Sequence, residues 1–177
     1  MLPYDRKRAF RKQWLYLGTF LTVIFLTVTN LEMVAEVLRS GRKLSAGWME
    51  SYILKVLTDD GIRLYFPLLC TVPYATGFVD EYKSGIYKFV LVRKERKKYI
   101  MSKAITNAVA GGSILVAGTV AFILCTWMVF LPMEKGFSWR IIQNFLGEYG
   151  QLLCQFFAFG ALEAEIGMWI STLVNHR

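Results

Sequence analysis

Residues 104–131 read AITNAVAGGSILVAGTVAFILCTWMVFL, and this stretch decides the class of fold. It contains no Asp, Glu, Lys or Arg. A bilayer's hydrocarbon core is about 30 Å thick and needs roughly 20 mostly apolar residues in a helix, so this stretch is long enough to cross it. The 177-residue chain is 55% hydrophobic, and its apolar residues are gathered in blocks rather than at a regular amphipathic period. The sequence therefore predicts a membrane protein rather than a soluble domain.

Four apolar blocks of this kind occur along the chain. They lie at about residues 14–34, 64–79, 104–131 and 152–174. The second block is the shortest and contains Pro67 and Pro73, each of which removes a backbone donor. Lipid tolerates such a helix where neighbouring helices or hydroxyl groups satisfy the freed carbonyls, so we expect this block to pack inside a bundle. The prediction is an all-α fold in which residues 1–177 form a single transmembrane domain, a polytopic membrane helix bundle with four transmembrane helices.

The basic residues predict the orientation of these helices in the cell membrane. Most of the 21 Lys and Arg residues lie before the first block, between the second and third blocks, or at the end of the sequence. Cytoplasmic loops retain Lys and Arg, so we expect both termini and the middle loop to be cytoplasmic. The net charge of +8 lies mostly on that face. Membrane lipids with anionic headgroups or an acidic protein are the expected partners, and nucleic acid is not.

Two short helices are expected on the opposite, outer face. Ser45 is positioned to cap the first, in which apolar residues recur on one side: Trp48, Met49, Tyr52, Ile53, Val56 and Leu57. The second begins at Ser138 and carries Trp139, Ile142, Phe145, Leu146 and Tyr149. Aromatic residues are enriched at membrane interfaces, so we expect both helices to lie flat on the outer leaflet. Gating of a substrate is the alternative.

The sequence lacks the motifs on which common catalytic and metal sites are built. Its one histidine, His176, cannot form an H-E-x-x-H zinc site, and no G-x-x-x-x-G-K-[ST] phosphate loop occurs. Serine-nucleophile patterns and paired intramembrane aspartates are also missing. We therefore expect no enzymatic activity, no catalytic residue, no metal site and no cofactor in this chain.

Two acidic residues lie within the last apolar block. Burying a charge at membrane depth costs at least roughly 2.5 kcal/mol, so Glu163 and Glu165 are candidates to line a pathway or an intramembrane polar site. Because they are two positions apart, they point about 200° apart on a helix, and we expect one of them to face the protein interior. The alternative is that this helix sits off-centre in the membrane, or that one carboxyl is protonated and hydrogen-bonded.

Small residues recur every four positions in the third block, at Ala104, Ala108 and Gly112. Gly160 and Ala164 have the same spacing in the fourth block. Such small-xxx-small faces allow transmembrane helices to approach closely. We interpret them as helix-packing surfaces, either within one bundle or between two copies.

The middle loop, residues 80–103, reads DEYKSGIYKFVLVRKERKKYIMSK. If its first part is helical, an apolar face is formed by Tyr82, Ile86, Phe89 and Val90. The basic run Arg93–Lys98 then leads into the third block. A charge run of this kind is usually a solvated or lipid-facing surface, and docking of a partner through the apolar face is the alternative.

The order of residues in this loop resembles the permease subunits of ABC-2-type ATP-binding cassette transporters. The pattern is an acidic residue, glycine four positions later, an apolar run, an Arg-rich turn and Tyr-x-x-x-Lys, and it is carried by Glu81, Gly85, VLVRKERKKY, Tyr99 and Lys103. In that family the corresponding loop is a coupling-type helix that touches a separate ATPase subunit. The resemblance implies that an ATPase subunit, which holds the ATP and Mg²⁺, is contacted by Glu81, Ile86, Phe89, Arg93 and Arg96. It also implies a homodimer or a heterodimer with another permease.

The resemblance covers a topology of four helices, whereas members of the family typically have six. The sequence is then either part of a longer chain or a shortened relative that lacks the last two helices. Two hypotheses remain open at this point. The chain is a permease subunit of an ATP-driven exporter, or it is a non-transporting multi-pass protein, such as an immunity or assembly factor, that docks lipid or protein through the same basic loop.

Overall fold

The computed structural model describes residues 12–40, 44–59, 61, 64–71, 96–134 and 139–174. Within these ranges the chain forms helices and connecting turns and no β-strand, which confirms the all-α fold class. The helices are α1 (Lys12–Val28), α2 (Leu31–Ser40), α3 (Trp48–Thr58), α4 (Phe66–Thr71), α5 (Arg96–Phe130) and α6 (Trp139–Val174). A 3₁₀ turn at Leu131–Met133 follows α5 directly.

Helices α5 and α6 are long and apolar enough to cross a membrane, over Lys97–Met133 and Tyr149–Leu173. They confirm that this is a membrane protein with transmembrane helices. Helix α5 has 35 residues and so is about 50 Å long, which exceeds the thickness of the hydrocarbon core. It begins at Arg96 rather than near Ala104, because the Arg, Lys and Met residues ahead of Ala104 are good helix formers.

The first predicted span, residues 14–34, is not one straight helix. Helix α1 ends at Val28, and α2 begins at Leu31 after a bend of 62°. The hydroxyl groups of Thr27 and Thr29 donate to the carbonyls of Val23 and Phe25, at 2.8 and 3.0 Å, and such bonds bend helices. Among the described residues, two helices are long and apolar enough to cross a membrane, or three if the α1–α2 pair counts as one span. The prediction of four spans is not confirmed.

The second predicted span, residues 64–79, is described only as far as Thr71. Its described helix, α4, has six residues, which is too short to cross a bilayer. Phe66 is buried and lies edge-on to Phe156 of α6, with 5.2 Å between the ring centroids. Cys70, one turn later, is also buried. Helix α4 therefore packs into the bundle against α6, and residues 72–79 lie outside the described residues.

The first outer helix forms as α3, but its predicted cap and environment are wrong. Gly47 precedes the helix with φ of 81°, a conformation that favours glycine, and Ser45 contributes only a backbone carbonyl to the N–H of Trp48. The apolar face of α3 is buried in the protein rather than laid on lipid, since Tyr52 and Trp48 pack against Phe130 at the end of α5. Tertiary contacts thus cover the face that the sequence assigned to the membrane interface.

The second outer helix does not exist as a separate element. Its residues from Trp139 onwards form the first part of the 36-residue helix α6, and Ser138 lies outside the described residues. No proline interrupts this stretch, so the helix continues without a break into the apolar block. The hydroxyl of Tyr149 donates to the carbonyl of Glu50 at 3.3 Å, which ties α6 to α3.

Glycines bring the long helices into close contact. A Cβ atom added at Gly111 of α5 would lie 2.5 Å from the Cβ of Ala164 and 2.7 Å from the carbonyl oxygen of Gly160, both on α6. The neighbouring Gly112 faces Phe157 equally closely. Two turns further along α5, Gly118 meets Thr22 of α1 at 2.5 Å by the same measure. Helix α5 therefore packs against both α1 and α6, and its glycines leave no space for a methyl group against either neighbour.

Replacing Gly111 by alanine should destabilise the bundle, because the added methyl group would collide with backbone atoms of α6. We expect a loss of about 1–3 kcal/mol in the free energy of unfolding, as for an overpacked core. Gly150→Ala on α6 is the matched control, since no atom lies within 4 Å of its added Cβ. Unfolding in detergent micelles with increasing SDS measures both. Equal midpoints for the two variants would contradict the close contact.

Candidate functional site

Three polar side chains meet between α5 and α6, and we call them the polar cluster: Lys103, Asn107 and Glu165. Lys103 and Asn107 are four residues apart on α5, so they lie on the same face of that helix. Lys103 is only 1% exposed and Asn107 only 2% exposed, whereas Glu165 on α6 is half-buried. Charged and amide groups at such depth are costly, so each requires polar surroundings.

Asn107 joins the two helices through its side-chain amide. Its Nδ2 donates to the backbone carbonyl of Ala164 at 2.6 Å and to Oε1 of Glu165 at 3.2 Å. Two adjacent acceptors on α6 thus bind one side chain of α5. A backbone carbonyl has two lone pairs, so that of Ala164 can accept this bond in addition to one within its own helix. The amide fixes both the spacing and the register of the two helices at this level.

Lys103 lies one turn before Asn107 and forms part of the same interface. Its Nζ is 5.7 Å from the centroid of the Tyr99 ring, at a distance typical of a cation–π interaction. Tyr99 is itself buried. The sequence predicted Lys103 as part of the cytoplasmic loop, but the structure places it inside α5 and between helices. Its spacing of four residues from Asn107, just ahead of the uncharged stretch 104–131, is the signal that sequence reasoning missed.

A pocket of about 430 Å³ opens beside the polar cluster, at the start of α5 and the end of α6. Two charged residues, four apolar ones and one threonine surround it: Lys103, Glu165, Ile100, Ala104, Met168, Trp169 and Thr172. Ile100 is 46% exposed and Trp169 is 68% exposed, so its rim belongs to the outer surface of the helix pair. The pocket therefore combines a polar base with a rim of large apolar side chains.

The two glutamates of α6 point to different neighbours, as their spacing predicts. Glu165 joins the polar cluster, whereas Glu163 lies near α4, where its carboxylate acts electrostatically on the buried thiol of Cys70. Both side chains are half-buried. They do not form a single two-carboxylate site.

The structure describes the predicted packing residues of α5, but it describes only one of the predicted contacts in the loop. Ala104 lines the pocket, Ala108 is half-buried, and Gly112 packs against Phe157. Arg96 is the first residue of α5. The other expected contacts of an ATPase subunit lie outside the described residues: Glu81, Ile86, Phe89 and Arg93. Within the described ranges, no three His, Cys, Asp or Glu side chains are close enough together to hold a metal ion.

Comparisons of this chain with protein-family models, with curated proteins and with solved structures find no match. The resemblance to ABC-2-type permeases is therefore supported only by the residue pattern of the middle loop.

Asn107→Leu should weaken the contact between α5 and α6, because it removes two hydrogen bonds that cross the interface. Hydrogen bonds between transmembrane helices contribute about 0.6–2 kcal/mol each, and we expect the free energy of unfolding to fall by about that amount or more. Thr106→Val is the matched control, since the buried Thr106 hydroxyl donates within its own helix to the carbonyl of Ser102. SDS-induced unfolding compares the two variants. A larger loss for Thr106→Val would contradict the role of Asn107.

Proposed function

We propose that this chain is a transmembrane permease subunit of an ATP-driven exporter of the ABC-2 type, which couples a separate ATPase subunit to movement of substrate through residues 80–103. One observation carries the proposal. Tyr99 and Lys103, the last two residues of the loop pattern, lie within α5, the helix that also bears Asn107 and packs against both α1 and α6. The end of the coupling pattern and the polar cluster are thus parts of one helix.

An uninterrupted helix is a suitable element for transmitting a displacement. Helix α5 runs from Arg96 to Phe130 without a break, and Lys103 lies about 10 Å along its axis from Arg96. A displacement of the loop would therefore move the polar cluster with it, because the intervening helix moves as a rigid body. Helix α5 is in close contact with α1 and α6 at its glycines. Because such tightly packed surfaces do not deform gradually, α1 and α6 must either move together with α5 or separate from it.

The chain's remaining surface is suited to a membrane-embedded subunit that assembles with others. On α6, Leu162, Trp169 and Leu173 are exposed and apolar. Lipid or a second permease subunit, identical or different, would cover this face. ATP and Mg²⁺ would be bound by the ATPase subunit, because the sequence has no phosphate-binding loop of its own.

In this proposal both termini and the start of α5 face the cytoplasm, and α3 faces outward. We expect an impermeant maleimide added to intact cells to label Ala46→Cys, an exposed position just before α3, and not Gly85→Cys in the loop. Both variants are made in a background in which Cys70, Cys125 and Cys154 are replaced by alanine. Labelling of Gly85→Cys in intact cells, without labelling of Ala46→Cys, would reverse the orientation and contradict the proposal.

Docking of the ATPase subunit should depend on the apolar residues of the loop rather than on its exposed lysines. Ile86→Asp or Phe89→Asp should remove a central anchor of roughly 2 kcal/mol or more and abolish co-purification of a P-loop ATPase from the native membrane. The control is Lys97→Ala with Lys98→Ala, because both lysines are exposed and should act mainly on lipid.

Membrane insertion of every variant is checked by carbonate extraction. Loss of the ATPase in the lysine variant, with retention in the apolar variants, would show an electrostatic patch rather than a coupling helix. Absence of any P-loop ATPase from the wild-type preparation would favour the non-transporting alternative, in which the basic loop docks lipid or another protein.

A further inference from the structure

A glutamine lies on the outward side of α6, among apolar side chains. We propose that Gln155 pairs with Gln155 of a second copy of this chain, and that the face of α6 around it is the surface through which the chain forms a symmetric dimer. The pairing rests on the membrane-embedded, assembling subunit of the proposed function, whose outward face was left to lipid or to another subunit. It requires no ATPase, so the two proposals can fail separately.

Gln155 faces away from the rest of the bundle. It lies nine residues before Ala164, and nine residues turn a helix through about 900°, which places the two side chains on opposite sides of α6. Ala164 is buried against Gly111 of α5. Gln155 is exposed, and within the described residues its amide has no hydrogen-bond partner.

The amide of Gln155 lies close to the middle of the membrane. Helices α5 and α6 run antiparallel, and Gly112 of α5 packs against Phe157 of α6. Gln155, two residues earlier in α6, is therefore level with about residue 115 of α5. That level is about 16 Å from the nearer end of the uncharged stretch 104–131. Lipid offers no hydrogen bond at this depth, so an amide that faces lipid is costly there.

The surroundings of Gln155 on α6 are suited to another helix. Leu162 and Ile166 lie on the same side and are 64% and 51% exposed. The small Ala158 and a second amide, that of Gln151 one turn earlier, are also exposed on this side. A pathway for water or ions is lined mainly by polar groups. Amides beside a small residue on an otherwise apolar face are typical of contacts between transmembrane helices.

A second copy satisfies the amide of Gln155 better than the other occupants of this face. An amide carries both donors and acceptors, so two of them can pair with each other. A copy inserted in the same orientation has its own Gln155 at the same depth, and a two-fold axis along the membrane normal brings the residue opposite itself. Lipid tails have no donor or acceptor, and a different protein would need a polar side chain at this level. The pair would also fix the register of the two helices, as a polar residue does in a coiled-coil seam.

Self-association of the purified chain in liposomes tests the proposal. Energy transfer between donor-labelled and acceptor-labelled copies, measured as lipid is added, gives the dissociation constant of the dimer. Gln155→Leu should raise this constant about tenfold, because two hydrogen bonds between transmembrane helices together contribute about 1.4 kcal/mol, which is a factor of ten. Gln155→Asn is the matched control, since it keeps an amide and should retain most of the association. The position is exposed, so neither variant should change the unfolding midpoint in SDS.

A second pair of variants locates the interface. In the background in which the three native cysteines are replaced by alanine, Leu162→Cys should form a disulfide-linked dimer when membranes are oxidised with copper phenanthroline. Val120→Cys should not, although Val120 is 38% exposed. It lies nine residues after Gly111 and therefore on the side of α5 that faces away from α6.

Three results would overturn the proposal. Equal dissociation constants for the wild-type chain and Gln155→Leu would show that the amides do not pair. A wild-type chain that stays monomeric at high protein-to-lipid ratios would leave this face to lipid or to a different subunit. Cross-linking through Val120→Cys and not through Leu162→Cys would place the interface on α5 instead.

Discussion

The close contact between α5 and α6 at Gly111, Gly160 and Ala164 determines the rest of the structure. Apolar helices gain little from the hydrophobic effect inside a lipid bilayer, so their association depends on packing and on hydrogen bonds. The glycines allow backbone to meet backbone, with the carbonyl oxygen of Gly160 only 2.7 Å from where a side chain at Gly111 would begin. That approach sets the distance at which every other pair of residues on these two helices meets.

The polar cluster is a consequence of the same contact. One turn of α5 before Gly111, the amide of Asn107 reaches the carbonyl of Ala164, the residue whose methyl group Gly111 accommodates. A wider spacing would leave this buried amide without its acceptors, at a high cost in an apolar environment. Packing and hydrogen bonding thus specify the same register. Glu165 and Lys103 are placed beside one pocket because this register puts them there.

At the other end of α5, helix α3 covers the bundle through aromatic packing. Phe130 contacts Trp48 and Tyr52 of α3, and the backbone N–H of Leu44 donates to the carbonyl of Met133 at 2.9 Å. The carboxylate of Glu134 accepts from the N–H of Gly47, which holds the left-handed turn before α3. The two ends of α5 therefore differ in character. One end is closed by side chains, and the other has a polar pocket.

The sequence by itself determined the membrane environment, the helical class, the two long spans and the opposite directions of Glu163 and Glu165, because length, hydropathy and helical period are local properties. It did not determine the bend at Thr29, the burial of α3 or the merging of the second outer helix into α6, since each depends on competition between local patterns and neighbouring elements. The same apolar face on α3 is suited to lipid or to protein. Only the tertiary structure showed that Phe130 covers it, that Asn107 donates to Glu165, and that Lys103 and Glu165 line one pocket. Those residues are some 60 positions apart in sequence, and helical register alone brings them together.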